Sequence, residues 1–196
     1  MKKNYPKVLL FVLFCALAGT QQAVFAQSQD VRDAGLRKRI AVIFQDVAST
    51  TIPHFYNGKI SNKTLVQFGI YYNALKYPNR FASLEKSGNR TRIAEKYIAS
   101  PALKYFGRKV AHQSITDSSF NYRSGYYYGY QEMFEQLAPL ELRNLRVTSK
   151  GSIFIAYADV VDDFGEETIE KKKILLKKIG TGNKSRFVVI EYSPAK

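Results

Sequence analysis

The chain has 196 residues, with 30 Lys and Arg against 16 Asp and Glu, a net charge of +14 and a single cysteine. One cysteine excludes an internal disulfide and a cysteine-rich metal site, so the fold must rest on its core. The excess of positive charge either favours anionic partners (lipid headgroups, cell-wall polymers, acidic proteins) or serves only to keep the chain soluble.

The N-terminus reads as a targeting segment. Lys2, Lys3 and Lys7 form a basic start, Val8 to Ala18 is an apolar run, and Val24-Phe25-Ala26 is a small-x-small cleavage site. The run is shorter than the ~20 apolar residues of a membrane-spanning helix. A cleaved secretory signal over residues 1–26 is expected, with an uncleaved anchor as the alternative, and the protein is then secreted or periplasmic. Cys15 leaves with the signal, and the remaining 170 residues keep a charge of +11 and have no cysteine. That length suits one domain, burying roughly 70% of its unfolded surface. No later stretch is apolar enough to span a membrane, and export argues against nucleic acid as a partner.

Residues 27–60 read as an N-terminal helix and linker, and 61–196 as the main domain. Asp30 is a candidate cap for a helix with its apolar stripe at Leu36, Ile40, Ile43, Phe44 and Val47, ending near Ala48. Asp33 and Arg37 are spaced as an ion pair along it. Asn57-Gly58 marks a turn. Ser61 or Asn62 caps a second helix with Leu65, Phe68, Tyr72 and Leu75 on one side and Val66 and Ile70 beside them, stopped by Pro78. Ser87-Gly88-Asn89 is a loop. Ile93, Ala94, Tyr97 and Ile98 make Arg90 to Phe106 one kinked helix or two short ones. Ser100-Pro101 is a fresh start and Gly107 a stop.

Val110–Ile115 and Phe120–Tyr128 are then expected to pair as a hairpin around Asp117-Ser118-Ser119. Gly129 ends the second strand, and Tyr130, Met133, Phe134 and Leu137 mark a short helix stopped by Pro139. The last third alternates as strands. Leu140–Thr148 slips register near Asn144, as a bulge does, and Ser149-Lys150-Gly151 turns the chain. Ser152–Val161 is apolar on both faces and is expected to be central and covered on both sides. Asp162-Asp163-Phe164-Gly165 is a turn. Thr168–Ile179 carries Lys171, Lys172, Lys173, Lys177 and Lys178 on both faces, which points to an edge or a protruding strand. There the lysines either guard against aggregation or form a docking patch for an anionic surface. Gly180 to Asn183 turns the chain into Arg186–Tyr192.

Chemistry-bearing residues are sparse. Asp159 sits at the end of an apolar strand face, either solvated beside Asp162 and Asp163 or facing a pocket as a general base. His54 and His112 have no neighbours at ligand spacing, so no metal is expected. Tyr126, Tyr128 and Tyr130 share one strand face, with Tyr127 and Gly129 on the other. One face is core, and the other is core too or an aromatic wall with Arg123 supplying charge.

Three segments together resemble one family. Gly129 followed by Met133 and Leu137 is similar to a glycine that opens a short helix after a hairpin. Ser100 to Gly107 is similar to the end of a main helix. Gly182 to Val189 resembles a last hairpin, without the tryptophan frequent there. With the order of elements, these resemble the nuclear transport factor 2-like (NTF2-like) superfamily over Ser61 to Tyr192. The resemblance implies an α+β cone, a strongly curved antiparallel sheet around N-terminal helices, with a pocket at one end. The ligand-binding candidates are Tyr105, Arg123, Tyr126, Tyr128, Tyr157 and Asp159. The expected function is an exported, non-enzymatic binding or accessory protein of the cell envelope or exterior. The alternatives are a pocket enzyme of isomerase or dehydratase type with Asp159 as base, and a structural subunit of an envelope or secretion complex. Expected partners are a small ligand or an anionic envelope component, or a protein, with a homodimer left open. No cofactor is expected.

Overall fold

The computed structural model describes residues 28–84, 89–115, 120–130, 132–135, 137–161 and 168–195. The expected signal segment and the turns expected at Ser87-Gly88, Asp117 to Ser119 and Asp162 to Gly165 lie outside them. The helices are α1 (Ala34–Ser49), α2 (Asn62–Lys76), α3 (Glu95–Phe106) and the single turn α4 (Glu132–Glu135). The strands are β1 (Gln29–Asp30), β2 (Ala82–Ser83), β3 (Arg90–Ala94), β4 (Asn121–Arg123), β5 (Tyr126–Tyr130), β6 (Glu141–Lys150), β7 (Ile153–Val161), β8 (Thr168–Ile179) and β9 (Arg186–Pro194). Hydrogen bonding divides them between two antiparallel sheets, sheet A in the order β1-β6-β7-β8-β9 and sheet B in the order β2-β3-β5-β4. The chain is therefore α+β. Among the described residues no helix is long and apolar enough to cross a membrane.

The helix ends follow local chemistry. The Asp33 carboxylate, not Asp30, caps α1 by accepting from the Leu36 N–H at 2.7 Å. Asp30 instead pairs with Thr148 as part of β1. Asp33 is thus engaged by the backbone, and the Arg37 side chain reaches the Leu145 carbonyl at 3.0 Å. Ser61 caps α2 through the Thr64 N–H. Gly107 ends α3 with φ +65°, its N–H on the Leu103 carbonyl.

Arg90–Ala94 is a strand, not the start of a helix. Thr91 and Ile93 are buried while Arg90 is exposed and Arg92 half-buried, the alternation of a one-sided strand. All five residues pair with β5. The helical spacing of Ile93, Tyr97 and Ile98 competes with that pattern, and long-range pairing decides the outcome. No strand forms over Val110–Ile115; only Ile115 bridges to Phe120. The hairpin partners are β4 and β5, turning at Ser124-Gly125. Gly129 stays inside β5 opposite Thr91. A Cβ there would sit 2.5 Å from the Phe120 ring, so the glycine makes room for that ring. The expected helix shrinks to α4, where Phe134 packs on Phe81 and Phe120 with ring centroids 4.8 and 5.7 Å away.

The helices lie between the sheets. Ile40, Phe44 and Val47 of α1 and Leu65, Phe68 and Tyr72 of α2 share a core with Phe154, Ala156, Ile174 and Leu176 of sheet A. On its other side α2 presents Val66 and Ile70 to Ile93, Phe120 and Tyr127 of the sheet B layer. Each such side chain contributes about 1.5–3 kcal/mol on full burial. The helix pair α2–α3 is held at close range by two residues. A Cβ on Gly69 would lie 2.6 Å from the Ile98 carbonyl oxygen, so only glycine permits this approach. Pro101 inside α3 has no N–H for the Tyr97 carbonyl four residues back. Buried Asn73 of α2 donates to that carbonyl at 2.8 Å and to the Gly69 carbonyl at 2.7 Å, and accepts from Arg80. A proline is thus tolerated in mid-helix because the neighbouring helix supplies the missing donor.

In sheet A the expected bulge falls where the register slips, between Arg143 and Arg146, with Asn144 at φ +54°. β7 is the central strand, but only one of its faces is covered. Phe154, Ala156, Ala158 and Val160 are buried against the helices, whereas Tyr157 on the other face is 39% exposed. Ile153 and Ile155 on that face are half-buried. β8 is not an edge strand: it lies between β7 and β9. It tolerates lysines on both faces because Lys172 on the inward face ion-pairs with Glu170 and meets the His54 Nε2 at 2.5 Å. The outward Lys173 pairs with Glu191 at 2.5 Å. The free side of β9 is covered by the segment around Phe55, which exchanges backbone hydrogen bonds with Tyr192.

Candidate functional site

The helical period puts Gly35, Lys38, Arg39 and Val42 on one face of α1, adjoining but distinct from its buried stripe. That face borders a partly open cavity of about 400 Å³, lined on its other sides by Lys104 and Tyr105 of α3 and Arg186 and Phe187 of β9. Its walls are mostly apolar carbon. Four cations, Lys38, Arg39, Lys104 and Arg186, stand among its lining residues and no acid does. Three of the four are held in place. Arg39 lies 5.4 Å from the centre of the Phe187 ring and reaches the Ser185 carbonyl at 3.5 Å. Arg186 donates to the Leu103 carbonyl at 3.2 Å. The Lys104 ammonium is 5.1 Å from the centre of the Tyr105 ring. Val42, 49% exposed, is an apolar residue that the helix leaves uncovered at the cavity.

Tyr105 forms the inner wall. Its hydroxyl donates to the buried Asp46 carboxylate, which also pairs with Lys76 at 2.9 Å. Burial first, and the Asp46 acceptor second, hold the phenol far above its ordinary ionisation range. The hydroxyl is committed to the core, so Tyr105 offers the cavity a ring and no titrating group. The cavity can bind, but it holds no acid–base pair for proton transfer.

The remaining sequence candidates fall on two other surfaces. Arg123, Tyr126 and Tyr128 lie on the outer face of sheet B, and the expected parity holds: Tyr127 is buried at 1% while Tyr126 is 37% exposed. The Tyr127 hydroxyl meets His112 Nδ1 at 3.0 Å, and burial pushes its ionisation up to about 12. Tyr157 and Asp159 line an open groove of about 960 Å³ beside the bulge of β6, with Arg32, Arg37, Arg146 and Lys171. There the Asp159 carboxylate accepts from the Asn144 amide at 2.7 Å, on the face of β7 turned away from the helices.

A fourth group escaped the sequence reading. Lys172, Glu170, His54 and Tyr192 line a cavity of about 470 Å³ under Ile52 and Pro53. Burial and the Lys172 charge lower the His54 ionisation below its ordinary 6.5, with Glu170 opposing. The available signal was parity: Lys172 stands in step with Ile174 and Leu176, the inward positions of β8. Among the described residues no group of three His, Cys, Asp or Glu gathers as a metal site. No protein-family model matches the chain, and no curated protein or solved structure is detectably similar to it.

Proposed function

We propose that the chain is an exported, non-enzymatic binding protein of NTF2-like build, acting at the cell envelope or outside the cell. Its ligand is a single-chain amphiphile with an anionic head. The observation that carries this reading is the α1–α3 cavity: apolar walls, four cations and no acid. Apolar carbon selects a hydrocarbon chain, and each methylene buried contributes about 0.8 kcal/mol. Charge at the lining selects a carboxylate or phosphate head over a neutral one. A volume of about 400 Å³ suits one such chain, at the small end of the ~300–1,000 Å³ common for ligand pockets. The NTF2-like part of the proposal rests on the later chain order: α3, the β4–β5 hairpin, a one-turn helix and a four-stranded meander, with β2 and β3 set between α2 and α3. A general-base role for Asp159 gains no support, because its carboxylate is engaged by the Asn144 amide on the face of β7 turned away from the helices.

Calorimetric titration with dodecanoate, dodecanol and butyrate tests the proposal. Dodecanoate is expected to bind well ahead of both others, and Val42→Glu, which sets a carboxylate on the apolar wall, is expected to abolish binding while the fold is kept. Equal binding of butyrate and dodecanoate, or unchanged binding by Val42→Glu, contradicts it.

A further inference from the structure

The outer face of sheet B carries a second chemistry. Strand alternation turns Thr91, Ile93 and Tyr127 into the helix layer, where all three are buried. The same alternation turns Arg90 and Arg92 of β3 and Tyr126, Tyr128 and Tyr130 of β5 outward. The register sets Arg90 beside Tyr130, Arg92 beside Tyr128 and, from β4, Arg123 beside Tyr126. Three guanidiniums thus interleave with three phenols. Arg92 lies 4.8 Å from the centre of the Tyr126 ring and Arg90 6.0 Å from that of Tyr130. The Tyr126 and Tyr128 ring centroids are 6.5 Å apart, and Tyr130 is 48% exposed. Among the described residues that the register turns to this face there is no acid.

We propose that this face binds an anionic polysaccharide, with uronate carboxylates on Arg92 and Arg123 and sugar rings lying on Tyr126, Tyr128 and Tyr130. Stacking on a ring fixes a guanidinium's plane, and a fixed fork takes a carboxylate by two parallel hydrogen bonds. A phenol gives the C–H face of a sugar an apolar plane and gives its hydroxyls a polar edge. Three strands at a spacing of about 4.8 Å and five residues at about 3.4 Å make a shallow, twisted strip. Such a strip suits successive units of an extended chain and encloses no single small molecule. A bilayer is a poorer fit, because among the described residues no strand of this sheet carries an exposed large aliphatic side chain, and exposed Leu84 follows β2 rather than belonging to it. Nucleic acid shares the charge, but the export expected from the N-terminal segment places the chain among envelope polymers. This face shares no lining residue with the α1–α3 cavity, so either proposal can fail alone.

The test is binding of the full chain to polygalacturonate, to its methyl-esterified form and to a single-stranded oligonucleotide. Polygalacturonate is expected to bind, and esterification, which removes charge but keeps the sugar faces, to weaken binding by roughly tenfold or more. Arg92→Ala and Tyr128→Ala are each expected to weaken it about tenfold, since each removes a charge-assisted or stacking contact. Arg92→Lys keeps the charge but loses the fork, and is expected to restore only part of the affinity. Lys109→Ala, which removes an exposed cation elsewhere, is expected to leave it unchanged. Should Tyr128→Ala not fold, the more exposed Tyr130→Ser carries the same expectation. Equal binding of the ester, wild-type binding by the Arg92 and tyrosine variants, or tighter binding of the oligonucleotide than of polygalacturonate overturns the proposal.

Discussion

The α1–α3 cavity and the outer face of sheet B are both cationic, yet their shapes suit ligands of different kinds. In the cavity, Lys38, Arg39, Lys104 and Arg186 accompany apolar walls formed where two helices and a strand fail to close. On the sheet, the arginines alternate with tyrosines over a plane. Charge alone specifies only an anion. The carbon beneath it decides the rest: a hollow buries a chain, and a plane stacks rings without burying anything. The two sites share a support, because α2 and α3 lie between the two sheets and contribute to both cores.

That shared support is where the comparison breaks most completely. Gly69→Val is expected to cost about 3 kcal/mol or more, since a side chain must enter where the Ile98 backbone stands 2.6 Å away. Both binding activities should fall together as the protein unfolds in urea at lower concentration. Asn73→Ala is expected to cost about 1–3 kcal/mol, by leaving the Tyr97 carbonyl below Pro101 without a donor. Urea denaturation measures it, and a loss indistinguishable from that of an exposed alanine substitution would contradict the account of how Pro101 is accommodated.

Salt sharpens the contrast. Binding at the shallow, exposed face should weaken steeply as ionic strength rises and the Debye length shrinks from ~10 Å at 0.1 M. Dodecanoate binding, driven mainly by its buried chain, should weaken little or even strengthen. Parallel titrations in rising salt that fall with equal slopes would mean that the two sites do not differ in kind.

Alkali probes the walls. Burial is the largest cause holding the Tyr105 and Tyr192 phenols above their ordinary 10.0, with nearby Asp46 and Glu170 respectively adding to it. The unfolded chain therefore gives up these protons before the folded chain does. Their contribution to stability is full below pH 10 and is lost as pH rises through the folded values. Phenolate absorbance from these two should appear only as the fold opens. The smallest expected effect is at His54, lowered from 6.5 by burial and Lys172. The unfolded chain takes up a proton there at a pH where the folded chain does not. The site's contribution is thus present above pH 6.5 and declines as pH falls through the lower folded value. His54→Gln should flatten the difference in urea midpoint between about pH 5 and about pH 8.

Legibility differed along the chain for physical reasons. The meander β6 to β9 is readable because long runs of period 2 leave few alternatives, and even the slip at Asn144 shows as a break in alternation. The helices α1 and α2 are readable from their stripes. β3 is not, because Ile93, Tyr97 and Ile98 also satisfy a helical spacing and only pairing with Tyr126–Tyr130 resolves it. Gly129 reads locally as a strand breaker, whereas its role is to receive the Phe120 ring from a distant position. Lys172 reads as one of a solvated run, and its inward partners His54 and Glu170 include one from far upstream. Of the candidate residues, Tyr105 lies in the chosen cavity, while the cations and Val42 around it read singly as solvated helix positions. They come together only when residues 35–43, 104–105 and 186–187 meet in space.

Amide chemical-shift mapping during titration with dodecanoate tests most directly whether the α1–α3 hollow takes a single-chain anionic amphiphile. Saturable shifts are expected at Lys38, Val42, Lys104, Tyr105 and Phe187, with the outer face of sheet B unmoved. Shifts concentrated around Tyr157 and Asp159, or no saturable shift at α1, would contradict that assignment.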